Sequence, residues 1–202
     1  KTVLGLGHFP SYLETVKNVY PFFSANSFYK QILREKSLDF GFSATAMHWL
    51  SKKPCDLSHH VHMVGAEEEE YLVFSEQGRK DWETILLHRA RELKTGGKLV
   101  FLNFCRDENG KYLGNTKGVN MFGNFAQNWK YFFEQERINL NEYQRMTLPQ
   151  YYNTVEEFSA PFQDPNNKVY IAGLRLKQIE THITPCPFAD SFKEHKDARY
   201  FA

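Results

Sequence analysis

Hydrophobic and polar positions along this chain change period several times, and each change predicts an element. Leu38-Asp39-Phe40-Gly41-Phe42 is short and mostly apolar, and it runs into the small residues Ser43-Ala44-Thr45-Ala46. This predicts a buried strand over 38–43 that delivers the chain to a tight turn. Residues 46–52 then read as a turn or short helix closed by Pro54. Over 76–95 the period lengthens. Trp82, Ile85, Leu86 and Leu93 recur at helical spacing, with Lys80, Glu83, Arg89 and Glu92 interleaved. Gly96-Gly97 is expected to end that helix. Residues 98–104, KLVFLNF, are almost continuously apolar, as in a strand of a parallel sheet covered on both faces. Helix, glycine pair and buried strand together give the rhythm of a doubly wound α/β unit.

Further along, 106–118 are polar and glycine-rich and read as a loop. Residues 119–145 carry Met121, Phe122, Phe125, Trp129, Phe132 and Phe133 in a helical pattern, which predicts a helical cap inserted after a strand. A helix over 156–162 follows Asn153-Thr154 as N-cap, and Asp164-Pro165-Asn166-Asn167 is a turn. Residues 168–181 look strand-like and are expected to return the chain to the sheet, while Pro185-Cys186-Pro187 reads as irregular. Upstream, a helix is expected from Ser11, with Leu13, Val16 and Val19 on one face. The organisation read from these patterns is an α/β core over 1–112, a cap over 113–165, and a return strand with the start of a further segment over 166–202.

A chain of 202 residues can bury one real core. Its formal net charge of +1 offers no global field for nucleic acid or an anionic membrane, so neither is expected as a partner. The apolar runs are too short to span a bilayer. Cys55, Cys105 and Cys186 are odd in number and far apart, which favours reduced thiols and a cytoplasmic protein. The start at Lys1 without Met, in mid-pattern, suggests a fragment. Val3-Leu4-Gly5-Leu6-Gly7 lacks the third glycine and later acidic residue of a dinucleotide loop. His59, His60 and His62 invite a zinc hypothesis, but no acidic or Cys partner stands at ligand spacing, so an exposed loop or edge is favoured. The run Glu67 to Glu70 suits a helix start, where negative charge complements the dipole.

Three stretches carry a more specific pattern. Ser27-Phe28-Tyr29, Ser37-Leu38, His48-Trp49-Leu50-Ser51 and Pro54 form the first. Residues 77–100 (QGRKDWETILLHRARELKTGGKLV) form the second, and Leu148-Pro149-Gln150-Tyr151 the third. In this order they resemble the SABATH family of S-adenosylmethionine-dependent methyltransferases, which act on small carboxylic acids and, in some members, on ring nitrogens. The resemblance implies a partial class I methyltransferase sheet of Rossmann-like type with an inserted α-helical cap. It implies S-adenosyl-L-methionine as methyl donor and a small carboxylic acid as partner, and a homodimer is compatible with it. The family's upstream adenosine-binding strand ends are not visible in this sequence, so the 202 residues alone are expected to be inactive.

Carried over position by position, Ser27 and Phe28 match the pair that contacts the adenosyl group, and Ser43, Ala44 and Thr45 fall beside the donor. Trp49 matches the indole whose N–H holds the substrate carboxylate, and His48 matches its pocket-lining neighbour. Thr45, Phe104, Met121, Phe122 and Tyr151 fall along the same pocket. Ala44-Thr45 replaces a Ser-Tyr pair, which either opens space or lets Tyr151 or Tyr152 fill it, and so alters the expected acid. Gln144, Met146 and Thr147 stand where some members hold magnesium, so no metal is expected. A carboxylic acid of pKa about 4 is already ionised at pH 7 and needs no general base. Positioning therefore replaces acid–base chemistry, and no residue is singled out as catalytic. Methyl transfer to a heterocycle nitrogen and a non-catalytic ligand-binding relative stay open as alternatives.

Overall fold

In the computed structural model, residues 16–115, 120–185 and 187–196 are described. The Gly-x-Gly stretch and most of the helix expected from Ser11 lie outside them. Val16 and Val19 are exposed on bent, non-helical chain, so no helix reaches that far.

Strand β1 (Leu38–Ala44) leads, and helix α1 (Glu68–Glu92) follows a long loop and a 3₁₀ turn at Met63–Gly65. Helix α1 begins eight residues earlier than the apolar period suggests, because the glutamates form its start. Glu67 and Glu70 close a capping box, with Glu68, Glu69 and Glu70 in the first turn. It ends at Glu92, not at the glycine pair. Leu93 turns extended at once (φ −68°, ψ 139°) because it pairs with Leu38. Strand β2 (Leu93–Leu102) thus starts directly at the helix end. Gly96, at φ +82°, serves a break in register between the Leu38–Leu93 and Phe40–Lys98 pairs.

The two strands pair in parallel, as the α/β rhythm requires. Among the described residues only one face is covered. Phe101 on that face meets the edge of Trp82 from α1 at 5.2 Å. On the other face Phe40, Phe42, Val100 and Leu102 are exposed by 56, 61, 39 and 54%. The expectation of a strand pair buried on both faces is corrected here: among the described residues no second layer lies over those side chains.

Beyond β2 come α2 (Met121–Glu134), α3 (Leu140–Arg145) and α4 (Val155–Gln163). Asn120, Asn139 and Thr154 cap them through side-chain oxygens, so the helical cap forms from local signals. The expected return strand over 168–181 is absent. Residues Lys168–Ile171 form one helical turn, α5, because Asn167 Oδ1 accepts from the Val169 amide and Gly173 (φ +93°) then reverses the chain. Val169 is fully buried in the core, and Arg175 stacks 3.5 Å over Tyr170. The tail read as irregular is helical over α6 (Pro187–His195), with proline at its first position.

Helix α1 joins two cores. Trp82, Ile85 and Leu86 pack with Met47, Phe158 and Val169, and Phe74 packs with Leu50, Leu57, Met63 and Tyr151.

Candidate active site

The turn after β1 builds the site. Thr45 adopts φ +52°, a left-handed conformation that a β-branched residue holds only under constraint. Its amide donates to the Leu102 carbonyl (2.7 Å), tying the turn to the end of β2. Ser43, Ala44 and Thr45 therefore stand at the carboxyl ends of paired parallel strands.

The next residues are held from two sides. The Leu50 amide donates to the Pro149 carbonyl (2.7 Å) and the Tyr151 amide to the His48 carbonyl (2.8 Å), an antiparallel bridge between Trp49 and Gln150. From α1, the buried Asp81 accepts the Ser51 amide and hydroxyl, both at 2.7 Å, and the Gln77 amide at 2.8 Å. The Tyr29 hydroxyl donates to the Trp49 carbonyl, and burial together with the Asp81 charge pushes that phenol far above its usual pKa.

Around this turn gathers a ring cluster centred on Tyr152. His48 lies 4.8 Å from Phe104, 5.7 Å from Trp49 and 5.9 Å from Tyr152, measured between ring centroids. Phe104, Tyr112 and Phe122 each lie within about 6.5 Å of Tyr152. His48 is 4% exposed, and burial lowers its pKa, so the imidazole is neutral at pH 7. Its Nδ1 is buried with no hydrogen-bond partner among the described residues, and the same holds for Asn103 Oδ1. Buried polar atoms are rarely left so, and a ligand's polar atom is one way to satisfy them. Two of the three tryptophans use their indole N–H on backbone, Trp82 on Phe158 and Trp129 on Tyr143. Trp49 is 42% exposed, and its indole N–H makes no hydrogen bond among the described residues.

His62 is fully buried, not on an exposed loop. It caps the 3₁₀ turn, and its ring stacks on Phe122 at 3.9 Å. Nδ1 accepts from the Val64 amide (3.3 Å), so Nε2 carries the proton and donates to Gln150 Oε1 (3.2 Å). Burial pushes its pKa down to about 4. His60 Nδ1 accepts from the His62 amide, and no metal-holding group of His, Cys, Asp or Glu occurs among the described residues.

Tyr151, expected in the pocket, points the other way. Its hydroxyl donates to Glu157 Oε1 (2.6 Å) and its ring packs where α1 passes at Gly78. Tyr152 instead faces the ring cluster, since successive residues of extended chain face opposite directions. Met121 packs against the Gly114 turn at the start of α2.

Ser27 is exposed, and its hydroxyl oxygen accepts from the Tyr29 amide (3.3 Å). Phe28 is half-buried, lies tilted against the Tyr29 ring at 4.4 Å and packs against the Trp82 core. Sequence reasoning named Tyr152 only as one of two tyrosines to fill the space at Thr45, weighed His62 only as a zinc ligand, and gave Gln150 and Asp81 no role of their own. The Tyr-Tyr doublet in an extended segment was the available signal for the first. Nothing local marks the others.

Residues 5–198 match the pattern of a family described as SAM dependent carboxyl methyltransferase, and the chain belongs to that family. It is similar to farnesoic acid carboxyl-O-methyltransferase of Arabidopsis thaliana, at 25% identity over 68% of this chain and 42% of the relative. It is also similar to loganic acid O-methyltransferase of Catharanthus roseus, at 26% identity over 67% of this chain and 40% of the relative. A solved structure of loganic acid methyltransferase with SAH superposes with a TM-score of 0.63, at 23% identity, over 73% of this chain and 45% of that one. The α/β architecture with its small parallel sheet is thus that of a methyltransferase. The chain spans less than half the length of these relatives. Among the described residues no helix is long and apolar enough to cross a membrane.

Proposed function

We propose that the protein transfers a methyl group from S-adenosylmethionine to the carboxylate of a small organic acid. The observation that carries this reading is the pairing of Trp49 and the buried, neutral His48 within one ring cluster, beside the small-residue turn at the strand ends. Ligands of open α/β sheets bind at such strand ends. In this reading Ser27, Phe28 and Ser43 to Thr45 face the donor. The Trp49 N–H holds a carboxylate oxygen, and His48, Thr45, Phe104, Phe122 and Tyr152 exclude water around it.

The chemistry is an in-line displacement: a carboxylate oxygen bonds to the methyl carbon as the carbon–sulfur bond breaks and its electron pair leaves on sulfur. Holding the oxygen against the methyl can supply roughly 7–11 kcal/mol of the barrier reduction. The fixed turn, pinned by Asp81, Leu102 and Pro149, suits that demand. A cytoplasmic location, suggested by the free Cys55 and Cys105, and a homodimer belong to the same reading.

The test is a panel of small acids incubated with methyl-labelled S-adenosylmethionine and the full-length protein. Base-labile label on an acid is the expected result. Alkali-stable label on a heterocycle would favour the second reading, in which neutral His48 pairs with a ring edge. Acid binding without transfer would leave a non-catalytic relative.

A further inference from the structure

The Arg89–Glu92 pair lies at the end of α1, away from the ring cluster, and the chemistry above does not use it. Its side chains are 6 and 0% exposed and meet in a bidentate fork, Nε to Oε2 and Nη2 to Oε1, both 2.7 Å. Every further bond the two side chains make ends on residues 28–33. Arg89 Nη1 donates to the Phe28 carbonyl (3.1 Å) and Nη2 to the Lys30 carbonyl (2.8 Å). Glu92 Oε1 accepts the Ile32 amide (2.6 Å) and the Leu33 amide (3.2 Å). The loop has no regular secondary structure of its own, so this pair supplies the order that a helix or strand would give. A buried ion pair is weak evidence for stability compared with apolar packing, yet it fixes geometry closely when all its bonds are directed.

We propose that Arg89 and Glu92 are positioning residues for the methyl donor, setting the depth at which Ser27 and Phe28 meet the adenosyl group. The proposal rests on the methyltransferase reading above. A lysine at 89 cannot form the fork and reach both carbonyls, since it has one nitrogen at the end of a flexible stem.

The test uses the full-length protein with Arg89→Lys and Glu92→Gln, varying donor and acid separately and measuring donor Kd by calorimetry alongside thermal melts. In Arg89→Lys, KM and Kd for S-adenosylmethionine rise by about tenfold or more, the scale of lost hydrogen bonds to a charged group. The KM for acid, and kcat at saturating donor, stay within about twofold. Glu92→Gln keeps an acceptor for Ile32 and Leu33, so it shifts the same constants in the same direction by less; it decides the matter where Arg89→Lys does not fold. An unchanged donor KM overturns the proposal, as does a joint fall in activity that tracks loss of folded protein. Failure of both variants to fold also overturns it, making the pair a folding determinant. Wild-type protein that does not bind S-adenosylmethionine overturns the methyl-donor reading and this proposal with it. Normal wild-type binding with flat variants overturns this proposal alone.

Discussion

His48 and His62 are both buried imidazoles held neutral by desolvation, yet their surroundings assign them different work. His62 has both ring nitrogens engaged, to Val64 and Gln150, and stacks on Phe122. Its pKa falls from 6.5 to about 4 on folding. The unfolded chain therefore binds a proton that the native state refuses. The stability this group contributes is fully present above pH 6.5 and drains away as pH falls towards 4, by up to about 3 kcal/mol. Urea midpoints between pH 7 and 4 should show that loss, and His62→Asn should flatten it. His48 leaves Nδ1 without a partner. Replacing it by Leu removes an unsatisfied buried atom, so His48→Leu is expected to hold or raise stability, by up to about 1 kcal/mol, while weakening acid binding. A midpoint that falls sharply would make His48 a structural residue instead. The sequence marked His48 and Trp49 through their place after an apolar strand and four small residues. It could not mark His62, because burial of a loop histidine depends on the distant α2 folding over it.

Among the elements, α1 does most of the positioning. Its Asp81 holds the Trp49 turn through Ser51, and its end carries the Arg89–Glu92 pair. Asp81→Asn can keep its oxygen on the Ser51 amide but then sets its NH2 against the Gln77 amide and the Ser51 hydroxyl, which costs about 1–3 kcal/mol of stability, to be read from a denaturant midpoint. Gly78 tests how tightly α1 meets the Tyr151 segment. A Cβ there would lie 2.4 Å from the Tyr151 ring, whose hydroxyl is held by Glu157 and lies 3.1 Å from the Tyr71 hydroxyl. Alanine would gain roughly 0.5–1 kcal/mol in helix propensity but overpack by about 1–3. Gly78→Ala is thus expected to destabilise by about 1 kcal/mol or more, and a stabilised variant would show that the ring moves aside. The period of α1, the apolar run of β2, the helical pattern of α2 and the cap of α4 were legible because they are local signals. The strand read over 168–181 failed because Asn167 and Gly173 redirect it, and Val169 buries against α1 rather than in the sheet.

At the scale of the whole molecule, the pattern of a sheet covered on both faces meets a pair of strands with one bare face. Phe40, Phe42, Val100 and Leu102 form a contiguous apolar strip on paired strands. Such strips on a lone chain promote association. The 202-residue chain by itself is expected to bind a hydrophobic dye and to self-associate, and a monodisperse, dye-silent monomer would contradict this. The apolar character of both strands was visible in the sequence. Which face finds a cover depends on layers that no local pattern specifies.

The central claim is that the Trp49 indole N–H holds a carboxylate for methylation. Its most direct test compares wild type with Trp49→Phe in the full-length protein, measuring donor Kd and base-labile methyl transfer to the acid. The side chain is 42% exposed, so the fold should tolerate the change. Donor affinity is expected to stay unchanged and kcat/KM for the acid to fall roughly 10- to 100-fold, as for one hydrogen bond to a charged group. Unchanged transfer in Trp49→Phe would contradict the claim.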